Sequence, residues 1–202
     1  RLVVLGGVGA AAALAGAALP AEKPRPQTAW EEPENVIERL AVAQGGHALT
    51  KVGAGDTQVL VERIGEGSGL QARAREIQIL PGAALTRVVL QSGGDVALDM
   101  ARVSLSDRAG LRQFVLAEGA NLARIETHVE IEGQSAVVEL HGVYLCNEGR
   151  HADLTSVVTH KAADGNTKQL IKGVARKGGR GVFQGKIVVE RGAQKTDARQ
   201  YH

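Results

Sequence analysis

The sequence predicts an all-β protein, a right-handed parallel β-helix with about 26 residues per coil. Three observations lead to this fold class. Apolar residues alternate at i and i+2, which is the period of a strand with one buried face. The apolar positions recur at an interval of 26 residues, and turn-forming residues recur at the same interval. Only 2% of the residues are aromatic, and a core of mid-sized aliphatic side chains suits repeated layers.

The apolar positions form three predicted ladders in which equivalent residues stack at about 4.8 Å. The first ladder is Ile77, Val103 and Val129; the second is Ile79, Leu105, Ile131, Val157 and Phe183; the third is Val59, Leu85, Leu111, Val137, Ala163 and Val189. The corresponding turn positions are Asp95, Asn121, Asn147 and Gly173. The right hand follows from the usual rule for parallel crossovers. An antiparallel β-sandwich is the alternative, but it does not require so regular a period.

The chain divides into two predicted regions. Residues 1–35 form an apolar N-terminal segment and a proline-rich linker, and residues 36–202 form the β-helix core. Residues 1–22 are interpreted either as a secretory signal or as a short strand, Leu2 to Leu5, followed by a loose loop. The apolar run is too short and too rich in glycine and alanine to span a membrane. Lys and Arg exceed Asp and Glu by only two, which does not favour nucleic acid as a partner.

Residues 151–173 contain a cluster of polar residues that we consider as a candidate site. His151, Asp153 and His160 are the residue types of a metal or acid–base site, although their spacing matches no standard zinc signature. The structural alternative places a His151–Asp153 pair in a turn, with Val157 pointing inward and His160 on the outer face. Gln169 and Lys172 follow the same logic, since a lysine beside a glycine is usually solvated.

Other catalytic signatures do not occur in the sequence. No GxSxG nucleophile motif is present, and the glycine-rich stretch KGGRGVFQG matches neither GxxxxGK[ST] nor GxGxxG. Cys146 is the only cysteine, which excludes an intrachain disulfide and a CxxC metal site. We expect Cys146 to be a small buried apolar residue in a chain kept in a reducing compartment.

The polar cluster and the residues after it resemble the SufB/SufD family of the SUF iron–sulfur cluster assembly system. The resemblance runs from His151, Asp153 and His160 through QLIKGVARKGGRGVFQGKIVV to AQKTDARQ, and residues 36–150 agree more loosely. The motif positions are Gln169, Lys172, Gly173, Phe183, Gly185, Gln194, Lys195, Thr196 and Asp197. The wording AQKTDA resembles SufD more than SufB.

The resemblance implies a β-helix core and a function. It implies a non-catalytic, cytoplasmic scaffold that pairs with a SufB-like subunit and acts with a SufC-like ABC ATPase. The ATPase would bind a C-terminal helical domain, which we expect to lie beyond this core fragment. An iron–sulfur cluster would be carried transiently in the complex, with no cofactor bound stably by the fragment, and a homodimer is a further option. His151, Asp153, His160, Gln169 and Lys172 would then support metal handling.

Two alternative functions remain at this point. A carbohydrate-active β-helix enzyme would need clustered acidic residues and exposed aromatic residues along an outer groove. The scarcity of aromatic residues argues against it. A secreted structural solenoid would be favoured only if the apolar N-terminal segment is cleaved.

Overall fold

The computed structural model of the chain describes residues 2–5 and 35–201. Within these residues the chain forms thirteen strands and one short helix, and the strands wind as successive coils. The elements are β1 (Leu2–Leu5), α1 (Val36–Ala43), β2 (His47–Val52), β3 (Thr57–Ile64), β4 (Leu70–Ile79), β5 (Ala84–Ser92), β6 (Val96–Leu105), β7 (Gly110–Glu118), β8 (Leu122–Ile131), β9 (Val137–Cys146), β10 (His151–His160), β11 (Asn166–Ala175), β12 (Arg180–Val189) and β13 (Asp197–Tyr201).

The strands form two parallel sheets, and each coil contributes one strand to each sheet. Sheet A has the order β1-β3-β5-β7-β9-β11-β13, and sheet B has the order β12-β10-β8-β6-β4-β2. All neighbouring strands in both sheets run parallel. The predicted parallel β-helix is therefore confirmed, in a flattened form with two opposed sheets.

The predicted interval of 26 residues holds only in the middle coils. Ile77, Val103 and Val129 are in register, as are the first three members of the second ladder. In the next coil the interval is 29 residues, because Val129 lies beside Val158 and not beside Val157. The turns lengthen there: residues 119–121 form a three-residue corner, whereas residues 147–150 form a four-residue corner. The placement of Val157 and Phe183 in the second ladder was therefore wrong.

The third ladder and the turn ladder fail for the same reason. Leu85 and Leu111 are in register, but Val138 rather than Val137 follows them. Val59 aligns with Thr86, Ala163 lies in a turn, and Val189 aligns with His160. Among the turn residues, Asn121 stacks on Asp95, with Asn121 Nδ2 donating to Asp95 Oδ1 at 3.2 Å. Arg150, not Asn147, contacts Asn121 in the next coil, and Gly173 lies within β11.

The first residues after the predicted linker form a helix and not a strand. Asn35 caps α1 by accepting a hydrogen bond from the backbone amide of Ile37 at 2.8 Å. Ile37 and Ala41 are buried on the side of α1 that faces sheet B, where Ala41 packs with Ala72 and Ala74. Small residues at these sheet positions let the helix approach closely. The prediction of strand structure from residue 36 was therefore wrong over the length of α1.

Part of the N-terminal prediction falls on described residues. Leu2–Leu5 form a strand that pairs in parallel with Val59–Glu62 of β3. This agrees with the strand interpretation of these four residues. The loose loop, the proline-rich linker and the rest of the signal interpretation concern residues 6–34, which lie outside the described residues. Within the described part of the chain, no helix is long and apolar enough to cross a membrane.

The interior contains two apolar clusters with a row of polar side chains between them. The first cluster includes Ile77, Leu111 and Val138, and the second includes Val89 and Leu154. We call the side chains between them the interior polar row. Its charged half consists of Glu62, Arg75, Arg87 and Asp99, and its neutral half consists of Gln113, Thr127, Ser156 and Gln169. All eight side chains are buried.

Candidate functional site

The structure separates the residues of the predicted polar cluster. His151 and Asp153 lie on the outer face of sheet B, where Asp153 contacts Arg124 on the neighbouring strand. His160 and Gln169 are fully buried inside the β-helix. Lys172 is exposed on the outer face of sheet A, on the opposite side of the molecule. These five residues therefore do not form one site.

His160 lies in the interior, so its predicted position on the outer face was wrong. The error follows from the longer coil: Val158 faces the core while Val157 faces outward, which reverses the assumed parity. The Nε2 atom of His160 lies 2.9 Å from Thr167 Oγ1. Burial lowers the pKa of His160, which favours the neutral imidazole. A Cβ atom at Gly165 would lie 2.6 Å from His160 Nδ1, so this glycine makes room for the ring.

Asp153 belongs to a polar network on the outer face of sheet B and not to a His–Asp pair. Arg124 Nη1 donates to Asp153 Oδ2 at 3.2 Å, and Thr155 Oγ1 donates to Asp153 Oδ1 at 3.1 Å. The Nε2 atom of His151 is buried and has no hydrogen-bond partner. His151 therefore does not use Nε2 to bind Asp153, which is held by its neighbours.

Glu126 is the central residue of this outer network. It contacts His128, accepts from Arg124, and accepts from Asn35 Nδ2 at 2.9 Å. The hydrogen bond with His128, followed by those with Arg124 and Asn35, lowers the pKa of Glu126 to about 2 against the opposing effect of burial. Glu126 is therefore a carboxylate at neutral pH. Its visible role is to fix the N-terminus of α1 to the coils.

A metal site is not formed at the predicted position. Across residues 2–5 and 35–201, no group of three or more His, Cys, Asp or Glu side chains is placed to hold a metal ion. His151 and Asp153 lie on one surface of sheet B, and His160 lies on the other. The same separation prevents these three residues from acting together in acid–base chemistry.

The charged half of the interior polar row was missed by the sequence analysis. Arg87 is fully buried and bridges two carboxylates, with Nε donating to Glu62 Oε2 at 2.7 Å and Nη2 donating to Asp99 Oδ2 at 2.9 Å. Arg75 Nε binds the other Glu62 oxygen at 2.7 Å, and Arg73 Nε binds the other Asp99 oxygen at 2.8 Å. Each carboxylate oxygen therefore has a guanidinium partner.

A signal for these ion pairs was present in the sequence. Arg87 and Gln113 are 26 residues apart, lie in register, and are joined by a hydrogen bond of 3.0 Å. Both occupy inward positions between apolar residues, as Arg87 does between Leu85 and Val89. Charged residues at inward positions on successive coils predict mutual pairing, because an unpaired buried charge is costly.

The neutral half of the row encloses a small cavity. Gln113 Nε2 donates to Thr127 Oγ1 at 2.8 Å, and Gln169 donates to Ser156. These four side chains line a space of about 20 Å³ together with apolar neighbours such as Ile125. That volume suits one water molecule. The Oε1 atom of Gln169 is buried without a hydrogen-bond partner and is suited to accept a hydrogen bond from it.

Two motif glycines make room for an aromatic ring. Gly173 is in register with Tyr144, and a Cβ atom at Gly173 would lie 1.8 Å from the Tyr144 ring. A Cβ atom at Gly181 would lie 2.0 Å from the same ring. Phe183 packs against the same apolar cluster as Tyr144. Gly185 has an equivalent role, since its Cβ atom would lie 2.4 Å from Gln200 Nε2.

The AQKTDA segment forms the corner between β12 and β13. Lys195 has a φ of 59°, and Thr196 Oγ1 donates to the Ala193 carbonyl at 3.1 Å. The Gln194 carbonyl accepts from the Asp164 amide at 3.0 Å, and the Asp197 amide donates to the Gly165 carbonyl at 3.1 Å. These bonds hold the corner against the preceding coil, so the motif has a clear structural role.

Cys146 is buried with 2% of its surface exposed. Burial raises the pKa of its thiol, which disfavours the reactive thiolate. This agrees with the expectation of a small buried apolar residue.

The fold and the polar groups together define a class of protein. This class is a parallel β-helix whose motif residues shape the interior, the corners and one outer network. Residues 35–202 match the family described as SUF system FeS cluster assembly, SufBD core domain. The match covers the whole chain from the cap of α1 onward, and the chain belongs to the SufBD core family.

Similar proteins carry the same family description. An iron-sulfur cluster assembly SufBD family protein of Mycobacterium bovis is 27% identical over 153 residues, which covers 71% of this chain and 38% of that protein. A protein of the same description from Mycobacterium leprae is 27% identical over 135 residues, covering 66% of this chain and 34% of that protein. The chain thus spans less than two fifths of the length of these relatives. No solved structure is significantly similar to it.

Proposed function

We propose that the chain is the β-helix part of a non-catalytic scaffold subunit in cytoplasmic iron–sulfur cluster assembly. The scaffold is of the SufD type, pairs with a SufB-like subunit and acts with a SufC-like ABC ATPase. The observation that carries this proposal is the SufBD core match over residues 35–202. The iron–sulfur cluster is the cargo of the assembled complex, and the chain alone holds no stable cofactor. The family assignment favours this function over a carbohydrate-active or a secreted structural β-helix.

The last coil supports a role in pairing. In the described residues β12 pairs with β10 along one edge and has no strand along the other. Val189, on the inward face of β12 beside His160, is 51% exposed. An open strand edge with an exposed apolar side chain favours the addition of a further strand. A partner subunit could supply that strand.

The arrangement of the polar groups supports a structural role. The carboxylates of Glu62 and Asp99 are saturated by arginine side chains. Glu126 is held as a carboxylate by His128, Arg124 and Asn35. These groups are committed to ion pairs and hydrogen bonds within the fold, which suits a scaffold better than a group that must exchange protons.

Co-expression tests this proposal. We expect the tagged chain to co-purify with the SufB-like and SufC-like subunits of its own organism, and to show no turnover by itself. Val189→Asp should weaken co-purification, because it places a charge on the apolar side of the open edge. Gln184→Asp is the matched control, since Gln184 is exposed on the outer face of the same strand. Failure of the wild-type chain to co-purify, or turnover by the chain alone, would refute the proposal.

The proposed support of metal handling needs a separate test. His151 and His160 should be replaced by Ala singly in cells that depend on this gene, and iron–sulfur enzyme activity should be measured with the amount of folded protein. We expect the effect of His160→Ala to follow the loss of folded protein, because His160 is buried. Loss of cluster assembly with a normal amount of folded His151→Ala protein would support a role for His151. Normal assembly in that variant would exclude one.

A further inference from the structure

The outer face of sheet A carries a continuous column of apolar side chains. Val61, Val88, Phe114, Leu170 and Tyr201 occupy equivalent outward positions on successive odd-numbered strands, and His141 alone interrupts them. A second column, made of Leu90, Leu116 and Val143, lies beside it. Single exposed apolar residues are normal on proteins, but a contiguous patch marks an interaction surface.

Several of these side chains are well exposed. Phe114 is 39% exposed and Tyr201 is 50% exposed, and both belong to the first column. Leu145 and Val174, which are in register on β9 and β11, also point outward from sheet A. The intervening inward positions are buried, as Leu111 and Val115 are on either side of Phe114 in β7. The exposed apolar residues therefore follow the pleat of a well-packed sheet.

Positive charges flank the apolar columns near the C-terminal coils. On β11, Leu170 lies between the exposed side chains of Lys168 and Lys172. Arg112 on β7 is 69% exposed and pairs with Glu139 on β9. Residues 160–202 contain ten Lys and Arg residues against three Asp and Glu residues, although the whole chain has 24 against 22. A partner for this surface should therefore bring apolar side chains and carboxylates together.

Sheet B shows which kind of element such a surface accepts. There α1 packs its apolar side on Ala72 and Ala74, while its Glu38 binds Arg102 Nε at 2.7 Å. An amphipathic helix with a carboxylate at its margin therefore covers the outer face of one sheet. The outer face of sheet A offers the same combination of apolar columns and outward cations. In the described residues no helix covers it.

We propose that the outer face of sheet A, from Phe114 to Tyr201, is a docking surface for an acidic amphipathic helix of a partner protein. The apolar side of that helix lies along the two columns, and its carboxylates meet Lys168 and Lys172. This follows the helix-in-groove mode of recognition, with charge complementarity selecting the partner. The proposal is independent of the proposed function, because it rests on the surface of sheet A and not on the open edge of β12.

A pair of synthetic peptides tests this proposal on the 202-residue chain. Both peptides are about 18 residues long, or five helical turns, and share one apolar face. One carries Glu along its flanks and the other carries Lys. We expect calorimetry to show binding of the Glu peptide and binding at least about tenfold weaker for the Lys peptide. Phe114→Ser and, separately, Lys168→Glu should each weaken the Glu peptide by about tenfold.

The controls distinguish the proposed helix from other occupants. Leu49→Ser changes a residue that is 60% exposed on sheet B, and it should bind the Glu peptide like the wild type. Thermal unfolding of each variant checks that the fold is retained, and Lys168→Glu provides the test if Phe114→Ser does not fold. Equal binding of both peptides, or of neither, would overturn the proposal. A dimer of the chain that Phe114→Ser dissociates would assign the face to a second copy, and would overturn it too.

Discussion

The two halves of the interior polar row solve the problem of buried polar groups differently. In the charged half, both oxygens of Glu62 and both oxygens of Asp99 are bound by arginine side chains. In the neutral half, Gln169 Oε1 has no partner and a small cavity lies beside it. Buried charges need complete pairing, whereas buried amides and hydroxyls tolerate a missing bond at lower cost.

The pKa values of the charged half reflect this pairing. Burial by itself would lower the pKa of Arg87, but the carboxylates of Asp99 and Glu62 outweigh it and raise the pKa. Burial would raise the pKa of Asp99, but Arg73 and Arg87 outweigh it and lower the pKa. The charged half is therefore stable as a set, and the removal of one member exposes the desolvation cost of the others.

Removal of Arg87 should have the largest effect on stability. Arg87→Leu leaves one oxygen of Glu62 and one of Asp99 buried without a partner, and we expect a loss of about 3–5 kcal/mol in the free energy of unfolding. Urea denaturation of the purified chain measures it. Arg112→Leu is the matched control, because it breaks an exposed ion pair and should cost less than about 1 kcal/mol. Similar losses in the two variants would break the contrast between the halves.

The coils around the neutral half should be limited by space. Gly173→Ala would force the Tyr144 ring to move, and we expect a loss of about 1–3 kcal/mol. The loss should shrink in a Tyr144→Ala background, because the ring that clashes is gone. Gly110→Ala is the control, since the nearest atom to its new Cβ would be 3.9 Å away. An undiminished loss in the Tyr144→Ala background would show that the ring is not the cause.

Removal of Gln169 should have a smaller effect than removal of Arg87. Gln169→Leu loses one hydrogen bond to Ser156, but it also removes the unpartnered Oε1 atom. We expect the free energy of unfolding to change by no more than about 1 kcal/mol. Urea denaturation beside Arg87→Leu gives a direct comparison of the two halves. A loss as large as that of Arg87→Leu would mean that the neutral half is also completely paired, through its cavity water.

His160 should give the smallest effect, a pH dependence of stability. Burial lowers the folded pKa of His160, whereas an unfolded histidine titrates near its ordinary value of about 6.5. As the pH falls below about 6.5, the unfolded state binds the proton first, so this contribution to stability declines. Above that pH it is fully present. The difference in unfolding free energy between wild type and His160→Gln should therefore vary below this pH, and a constant difference would contradict the assignment.

The sequence analysis succeeded where the coil length is constant. Ile77, Val103 and Val129 were placed correctly, because strand alternation and a 26-residue interval both hold from β4 to β8. It failed after β8, where added turn residues shift the register to 29. An odd shift reverses the inward and outward faces, and for this reason Val157 and His160 were placed on the wrong sides.

The individual side-chain contacts could be predicted less well. His151, Asp153 and His160 are close in sequence, but a strand places neighbouring residues on opposite surfaces of the sheet. The pairing of Arg87 with Glu62 and Asp99 was within reach, because these residues interrupt apolar alternation on neighbouring strands. The position of Tyr144 between Gly173 and Gly181 was not, since it depends on how three strands meet in space.

The growth of the coils has a practical consequence. Strand registers remain regular while corners gain residues, so the wall of the β-helix does not depend on the length of its corners. Residues 147–149, between β9 and β10, are exposed at one such corner. A short tag or a fluorescent label inserted there would report on partner binding from a position that leaves both sheets and their packed interior unchanged.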